Sequence, residues 1–430
     1  MKKKLGIVST YDELCGIAGY TKHIEPVLKE AFDVEVFDLN QFILRTPGRL
    51  ARKLGDVEIE RICEGLKQCD CVNIQLEHGT LGIGHKDIVR RLEMLVRASK
   101  SVSITFHTIL KSDPFDFDGF FKKLGGLRIG AALGQISSYR KNNYLFLQIN
   151  SMIRREQKRR ELSVIVHTRR DANVYRTFQK FDRVFHHPLS FLTESQRDEV
   201  LKGAKRDLFP VLRGLDPTVK IVGVFGFVGE YKGVDVAIQA LSHLPSNYHL
   251  VIFGGVHPNS IKPGVPIDPY VSKILSLISP NRNVFTSLLE DGGSVNVNLS
   301  GADLAGLQDV PIRNNLSERV HFAGALSDAD FATAIALSDV ALLPYREVGQ
   351  ASSGPMSIAN EMGSTILASR TKAFMQFEKY HSGRVTFFEQ GNYLQLAKLV
   401  LAVDGTARLP YPERFNAETN LQVYCEAHGA

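Results

Sequence analysis

The sequence has few cysteines and no long apolar run, and both shortages narrow what the protein can be. Its five cysteines form an odd set, too sparse for a disulfide framework. Cys69 and Cys71 have no second cysteine pair or histidine cluster near them, which disfavours a zinc site. No run approaches the roughly 20 apolar residues of a membrane-spanning helix. The basic start at residues 2–4 leads into a run too short for a signal peptide. We therefore expect a cytoplasmic protein with no metal and no cofactor.

Length and charge restrict the possibilities further. A chain of 430 residues suits two α/β domains of about 200 residues each. The formal net charge of +6 weakly favours phosphates, anionic lipid or nucleic acid as partners. Nucleic acid is disfavoured, because no recognised module is present and the basic residues are spread along the chain. Basic residues flank an apolar run in 140–160, a pattern typical of a helix on an anionic membrane or of an ordinary surface helix.

Short β-branched runs alternate with helical patterns along the chain, which predicts α/β domains with doubly wound parallel sheets. Strands are predicted at 5–9, 34–37, 71–75, 102–106, 164–166, 184–185, 220–225, 249–253, 320–322, 340–343, 365–368 and 385–388. Residues 206–216 interrupt the periodicity, so we predict Rossmann-like domains over 1–210 and 211–405. Segment 406–430 is expected to pack back on the first domain, and 291–315 to form an irregular insertion. Ligands bind outside the carboxyl ends of such strands, here in a cleft between two facing domains.

Candidate residues in the first half follow predicted strands. Gly16 and Gly19 precede a helical pattern, where they suit either close approach of a ligand or a tight turn. Their spacing is not that of the dinucleotide fingerprint, which disfavours an NAD-dependent dehydrogenase. His107 and His167 each end a strand, so each could orient a substrate or serve a structural role. The pair His186 and His187 closes a further strand in the same way.

Two loops of the second half suit phosphate binding. Residues 225–233 join a strand to a helix and carry Gly229 and one lysine, Lys232, which could neutralise a diphosphate. Residues 344–354 contain Arg346 and Glu347 and end in small residues at the start of a helix. Free amides at that helix start, with the hydroxyls of Ser352 and Ser353, are suitable donors to a phosphate.

Taken together, these segments resemble the retaining GT-B glycosyltransferases of family 4 over most of the chain. The resemblance lies in 15–20, 73–79, 105–108, 226–233, 253–255, 322–324 and 344–363, which occur in family order. It implies a metal-independent enzyme that moves a sugar from a nucleoside diphosphate sugar to a hydroxyl of a glycan or lipid-linked acceptor. Such an enzyme would serve polysaccharide biosynthesis, in the cytoplasm or at the inner face of the cytoplasmic membrane.

The resemblance also implies roles for particular residues. The expected catalytic residues are His107, Lys232 and Glu347. The expected donor-binding residues are Gly16, Gly19, Gly229, Lys232, Gly254, Arg346, Gln350, Ser352, Ser353 and Gly354. The expected acceptor-binding residues are Tyr20, Glu77, His78 and His167.

The sequence departs from the family at two positions. Phe227 stands where many members have arginine. The paired glutamates of the family align with Gln350 and Ile358, and Glu347 and Glu361 are the candidates to take over their roles. Two alternatives therefore stay open: a nucleotide-sugar 2-epimerase or phosphorylase on the same fold, and a non-catalytic protein that binds a nucleotide or glycan.

Overall fold

The chain forms two compact units. The computed structural model describes all residues except 1, 14, 111, 113, 127, 257–267, 279–314 and 404–407. One unit comprises Met1–Pro188 with Glu418–Ala430, and the other Leu189–Ala417. The sequence-based boundary at 210/211 lies inside the second of these units. The irregular insertion expected over 291–315 falls almost wholly outside the described residues.

The first unit is built on a six-stranded parallel sheet. Its strands are β1 (Lys3–Ser9), β2 (Phe32–Asp38), β3 (Cys71–Leu76), β4 (Ser101–Phe106), β5 (Glu161–Val166) and β6 (Val184–His186). The helices between them are α1 (Gly16–Leu28), α2 (Gln41–Arg45), α3 (Arg49–Leu66), α4 (His85–Arg97), α5 (Phe117–Gly125), α6 (Ile129–Asn142), α7 (Tyr144–Gln157) and α8 (Arg169–Thr177). The strand order is β2-β1-β3-β4-β5-β6.

A second six-stranded parallel sheet forms the other unit. Its strands are β7 (Lys220–Phe225), β8 (Tyr248–Phe253), β9 (Val320–Phe322), β10 (Val340–Leu343), β11 (Ile366–Ser369) and β12 (Val385–Phe388). Its described helices are α9 (Glu194–Gly203), α10 (Val234–Leu241), α11 (Pro269–Ile278), α12 (Asp328–Leu337), α13 (Gly354–Glu361), α14 (Lys372–Glu378) and α15 (Tyr393–Leu401). The order β12-β11-β10-β7-β8-β9 confirms the predicted doubly wound α/β class.

Both sheets have a point at which the strand order reverses. In the first unit β1 lies between β2 and β3. The chain passes from β1 to β2 on one side, and the later strands are added on the other side, starting with β3. In the second unit β7 is flanked by β8 and β10. Loops that leave the carboxyl ends at such a point diverge and leave a crevice, where open α/β sheets bind ligands. Ligand-binding residues are therefore expected in the loops after β1, β3, β7 and β10.

The two faces of the first sheet differ in chemistry. Along β3, Val72, Ile74 and Leu76 belong to a buried apolar cluster that α3, α4 and α7 also enter. The alternate residues Asn73 and Gln75 are equally buried but polar. Because successive side chains of a strand point to opposite faces, β3 presents apolar side chains to one face of the sheet and polar ones to the other.

The last helix, α16 (Ala417–His428), supplies hydrogen-bond partners to the polar face. Gln75 Nε2 donates to the Tyr424 hydroxyl at 3.0 Å, and the Tyr424 and Thr105 hydroxyls are 3.3 Å apart. His428 Nε2 is hydrogen-bonded to the Ser103 hydroxyl at 2.8 Å. Buried polar groups need such partners to offset their lost hydration. The C-terminal segment thereby completes the first unit.

The start of the second unit is fixed by a buried carboxylate. Glu361, which is 2% exposed, accepts hydrogen bonds from the amides of Phe191 and Leu192 and from the Ser190 hydroxyl. The sequence offers Glu361 as a replacement for a sugar-binding glutamate. Its carboxylate instead holds segment 190–192.

Helix starts follow the capping signals of the sequence. A helix over 328–337 is predicted from Ser327 and Asp330, and α12 has those bounds. The Ser327 hydroxyl accepts a hydrogen bond from the Asp330 amide at 3.2 Å.

Within the described ranges, no helix combines the length and the apolar character needed to cross a bilayer.

We expect Tyr424→Phe to destabilise the protein by about 1–3 kcal/mol. The substitution keeps the ring but leaves the buried Gln75 amide without one acceptor. Urea-induced unfolding measures the change. Tyr139→Phe is the control, because no hydrogen bond of its hydroxyl is found among the described residues; it should change stability by less than about 0.5 kcal/mol. Equal effects of the two substitutions would contradict the polar docking of α16.

Candidate functional site

A buried lysine occupies the reversal point of the second sheet. Lys232 follows β7 and is 6% exposed. Its Nζ lies 4.1 Å from the centre of the Tyr345 ring and donates a hydrogen bond to the Tyr345 hydroxyl. The Tyr231 ring centre is 5.1 Å from Nζ. No salt bridge to Lys232 is present among the described residues. Two aromatic rings thus surround an ammonium group that has no carboxylate to neutralise it.

Glycines bring the loops after β7, β8 and β10 into close contact. Gly233 has φ +67°, and a Cβ there would lie 1.9 Å from the Pro344 carbonyl oxygen. A Cβ on Gly254 would lie 2.0 Å from the Gly226 carbonyl oxygen. Side chains at either position would force the loops apart. Gly254 therefore has a packing role beside Lys232, and Gly229 begins the turn that carries the lysine.

Burial changes the acid–base behaviour of this cluster. Loss of hydration lowers the pKa of Lys232 from 10.5 to about 7, because the charged form is disfavoured. The same burial raises the pKa of Tyr345, so its phenol stays protonated at neutral pH. Ser353 lies beside that hydroxyl and partly opposes the rise. A diphosphate placed here would meet a lysine whose protonation it stabilises.

The start of helix α13 adds uncommitted donors to the cluster. Ser353 is the N-cap residue and makes no capping hydrogen bond with its side chain. The first turn has no acidic residue, and proline stands near its start. The positive end of the helix dipole is therefore not neutralised by a carboxylate of its own first turn. Gly354 is half-buried, as is Ser352 in the preceding loop.

Arg346 and Glu347 are both engaged in holding loops. Arg346 forms ion pairs with Glu230 and with Asp235, the latter at 2.8 Å. The exposed Glu347 accepts hydrogen bonds from the Gly349 amide at 2.9 Å and from the Lys372 amide at 2.7 Å. The carboxylate thus fixes the turn that precedes Gln350. Both residues organise the backbone around the lysine.

The two departures from the family pattern differ in placement. Ile358 is 5% exposed on α13 and is part of the packed interior of the unit. Phe227 is half-buried directly after the glycine that follows β7. Gln350 is exposed, so its amide can reach a ligand.

His107 lies at the carboxyl end of β4 in the first unit. Gln75 uses its amide nitrogen on Asn73 and Tyr424, so its oxygen faces His107 Nε2 at 2.8 Å. Since that oxygen only accepts, His107 Nε2 carries the proton and Nδ1 is an acceptor. Burial and the nearby His167 hold the pKa of His107 well below 6.5. The imidazole is neutral at pH 7 and offers a lone pair to a hydroxyl.

His167 and Tyr20 pack around His107. The ring centres of His167 and Tyr20 lie 5.1 Å and 5.3 Å from that of His107. His167 donates from Nδ1 to the His187 carbonyl, and its buried Nε2 has no hydrogen-bond partner in the described part of the chain. Burial lowers its pKa to about 4. These two residues shape the surroundings of His107 from within the unit.

His78 and Glu77 follow β3, the neighbour of β4. His78 is 6% exposed, and burial lowers its pKa to about 4. Glu77 is half-buried and accepts a hydrogen bond from the Thr108 hydroxyl at 2.6 Å. Glu77 therefore joins the loop after β3 to the loop after His107. His187, by contrast, is bound to Thr419 and the Pro188 carbonyl and is structural.

Helix α1 begins directly after the loop that follows β1. Its N-cap residue Cys15 accepts from the Ala18 amide at the long distance of 3.5 Å. A Cβ on Gly16 would meet nothing within 4 Å, so space is open beside the helix start. The Gly19 amide donates to the Cys15 carbonyl as the first regular helical bond. Gly16 thus borders open space, and Gly19 belongs to the helix.

A cavity of about 480 Å³ lies near the carboxyl ends of β2 and β3. Leu44, Pro47 and Ile83 provide apolar walls, and Arg52, His85, Lys86 and Asp87 provide polar ones. Arg52 and Asp87 form a salt bridge at 2.8 Å, so the lining carries both signs of charge. The size suits a small polar molecule.

Four residues that the structure places at the candidate sites were not identified from the sequence. Tyr345 lies in the predicted phosphate-binding loop 344–354, but an aromatic residue after a strand does not indicate that a lysine will contact it. Gln75 sits in a buried strand, and only the folded structure shows that it faces His107. The cavity residues Arg52 and Lys86 come from different segments and share no motif.

In the described residues, no group of three or more His, Cys, Asp or Glu side chains is arranged to hold a metal.

Comparisons with known proteins show the fold. No protein-family model matches the sequence, and no curated protein matches it. HepE from Anabaena, solved with UDP and glucose, gives a TM-score of 0.52 at 12% identity, covering 93% of this chain and 89% of that one. A glycosyltransferase from Rickettsia africae gives 0.54 at 12% identity, with 99% and 98% covered. A UDP-forming α,α-trehalose-phosphate synthase from Burkholderia xenovorans gives 0.55 at 8% identity, with 100% and 95% covered. The chain therefore has the two-sheet α/β fold of GT-B glycosyltransferases.

We expect His107 to be protonated at Nε2 and unprotonated at Nδ1 at neutral pH. Gln75 can present only its oxygen to His107, since its nitrogen is already engaged. Long-range ¹H–¹⁵N correlation spectra of the ring distinguish the tautomers, with His107→Gln used for assignment. The opposite tautomer would refute the Gln75 contact. In Gln75→Leu the preference for Nε2–H should weaken.

We expect Lys232→Met to increase stability at pH 6, because it removes a buried charge. Between pH about 7 and 10.5 the unfolded chain keeps a proton that folded Lys232 has lost. Wild-type stability then rises with pH, and the advantage of the variant shrinks by up to about 1.4 kcal/mol per pH unit. Urea-induced unfolding at pH 6 and pH 9 measures both effects. Lys379→Met, an exposed control in the same unit, should show neither. A variant less stable than wild type at pH 6 would disprove this expectation.

Proposed function

We propose that the protein is a glycosyltransferase that moves a sugar from a nucleoside diphosphate sugar to a hydroxyl acceptor. Lys232 carries this proposal: a buried ammonium without a carboxylate partner among the described residues, at the reversal point of a parallel sheet. Such a charge is costly in the free protein. A diphosphate would supply the missing negative charge and offset that cost.

The comparisons favour a uridine nucleotide as the first donor to test. HepE was solved with UDP and with UDP-glucose, and the Burkholderia enzyme is described as UDP-forming. These proteins are 8–13% identical to this chain, and the choice of a uridine base is part of the same proposal.

Departure of the nucleoside diphosphate is the step that the second unit would assist. Negative charge grows on the leaving phosphate while the sugar becomes oxocarbenium-like. Lys232 and the first amides of α13 are positioned in advance as donors toward that charge, so little reorganisation is needed. Because protonated Lys232 is required, donor binding above pH 7 would take up a proton. Arg346 and Glu347 would keep the surrounding loops in place.

We propose that the anomeric configuration is retained through front-face attack. The acceptor hydroxyl would attack from the side on which the diphosphate leaves, and a phosphate oxygen would take its proton. His107 Nδ1 would accept a hydrogen bond from a hydroxyl of a sugar bound at the first unit. This role needs a neutral imidazole, which burial ensures. Metal independence and membership of family 4 are parts of the same proposal.

The acceptor is proposed to be a glycan or a lipid-linked glycan bound by the first unit. The cavity lined by Arg52, His85 and Lys86 offers hydrogen bonds and positive charge beside apolar walls. Tyr20, His78 and His167 are buried and would act by supporting the binding surface, whereas Glu77 is partly exposed. A role in polysaccharide biosynthesis in the cytoplasm fits such an acceptor.

A ligand panel tests the donor site. We expect UDP at 100 times its Kd to add about 2.7 kcal/mol of stability, an upward shift on the order of 5 °C in the melting temperature. GDP, CDP and dTDP test the choice of base. Lys232→Met should abolish the shift, and Lys379→Met should retain it.

Turnover of the sugar nucleotides decides between the alternatives. A transferase should hydrolyse its donor slowly and faster with an acceptor, and Lys232→Met should lower kcat/KM about 10²–10³-fold. Release of an altered sugar nucleotide without acceptor would indicate an epimerase. A requirement of turnover for inorganic phosphate would indicate a phosphorylase. Binding without turnover would indicate a binding protein. A folded protein that binds none of these nucleotides would refute the donor site.

A further inference from the structure

Helices α5 and α6 form a hairpin between β4 and α7 that buries almost nothing. None of the described residues of α5 is buried, and in α6 only Ala132 is. The neighbouring α4 buries seven of its thirteen residues. Helices in proteins gain most of their stability from packing an apolar face. The hairpin therefore has an apolar face that the rest of its unit does not cover.

The uncovered face is a continuous apolar stripe on each helix. Phe117, Phe121 and Leu124 follow the i, i+4, i+7 spacing of one helix face, and Ile129 and Leu133 follow i, i+4. Phe121 is 63% exposed and Leu133 is 61% exposed. Exposed apolar residues are common singly, but a patch of five on adjoining helices indicates an interaction surface.

Other contacts hold the hairpin together and leave the stripe free. The Phe115 ring, at the base, lies 5.3 Å from the Tyr139 ring and 5.5 Å from the Phe120 ring. Gln135 of α6 donates to the Asp116 carbonyl at 2.7 Å and accepts from Lys123. These contacts fix the two helices beside each other. The stripe residues Phe121, Leu124 and Leu133 are not needed for them.

The hairpin also carries an excess of positive charge. Residues 116–142 contain five basic residues (Lys122, Lys123, Arg128, Arg140 and Lys141) and two acidic ones. Within the described ranges none of the five belongs to a salt bridge. One of the two acids, Asp116, is engaged as the N-cap of α5. Apolar side chains beside unpaired cations suit the anionic surface of a lipid bilayer.

Two other basic segments of the unit lack this combination. In α7, part of the stretch 140–160, Ile149, Met152 and Ile153 are buried, and Arg155 is paired with Glu93 and Glu156. Of the two interpretations left open for 140–160, α7 therefore fits the ordinary surface helix. Helix α3 exposes Leu50, Leu54 and Val57, but its four basic residues are balanced by four acidic ones.

We propose that the α5–α6 hairpin docks on anionic membranes, with its apolar stripe in the interface and its basic residues against lipid phosphates. This inference does not depend on the transferase activity. It bears on that activity because the hairpin follows β4, at whose carboxyl end His107 lies. A membrane held there would present a lipid-linked acceptor to the same edge of the sheet.

Vesicle binding tests the docking. We expect the full chain to bind vesicles of equimolar phosphatidylglycerol and phosphatidylcholine, to bind phosphatidylcholine alone far more weakly, and to dissociate in high salt. Phe117→Ser with Phe121→Ser should lower the partition coefficient at least about tenfold. Lys122→Gln with Lys141→Gln should lower it about fivefold per residue. The matched control, Leu50→Ser with Leu54→Ser, should stay within about twofold of wild type.

A fluorescent probe reports insertion directly. The chain has no tryptophan, so Phe121→Trp introduces a single one into the stripe. Its emission should shift to the blue with anionic vesicles and be quenched by brominated lipid. Phe178→Trp, at a residue that is 73% exposed elsewhere in the same unit, should show neither change.

The proposal fails under any of three results. Absence of binding to anionic vesicles by the folded chain overturns it, as does binding that the hairpin substitutions leave unchanged. The third result concerns self-association, measured by light scattering. If the wild type binds no vesicles but self-associates, and the serine variant does not self-associate, a second copy of the chain covers the stripe. Phe117 and Phe121 are largely exposed, and their ring contacts among the described residues are with the neighbouring hairpin rings of Phe115 and Phe120. The variants should therefore keep a melting temperature close to that of the wild type, which confirms that they fold.

Discussion

A parallel sheet must be covered on both faces, and this constraint governs the first unit. Helices α3, α4 and α7 cover the apolar face with ordinary side-chain packing. The other face carries polar side chains on β3 and β4, and α16 supplies hydrogen bonds to Gln75 and Ser103 from more than 300 residues further along the chain. The same network extends through Gln75 to His107. Completion of the sheet and orientation of the candidate catalytic histidine therefore depend on one polar layer.

The second unit shows the opposite electrostatic situation. Most of the charged residues around its reversal point are paired: Arg346 with Glu230 and Asp235, and Asp235 also with Lys273. Lys232 lies beside them without a carboxylate in the described structure. Burial of an unpaired cation opposes folding, and the proposed diphosphate would offset that cost. The ion pairs nearby fix the loops, which keeps the cation and the start of α13 in position.

The acidic residues illustrate why residue type alone is a weak guide to function. Glu347 and Glu361 both fall in the segment that resembles a sugar-binding motif. One caps backbone amides near Gln350 and Lys372, and the other binds the amides of 191 and 192. Each satisfies donors that would otherwise lack partners, which is a structural use of a carboxylate. The hairpin shows the converse, since five of its large apolar side chains are exposed instead of packed in a core.

The sequence by itself determined the α/β class, all twelve described strands and the position of Lys232, because alternating apolar periods and glycine-bearing turns are local signals. It also placed His107 at a strand end. Tertiary structure alone decided what those residues contact. The Tyr345 ring over Lys232, the Gln75 oxygen on His107 and the polar layer closed by α16 join segments from about 30 to 350 residues apart. No local pattern encodes such contacts, since strand order and side-chain packing select them only when the sheet forms.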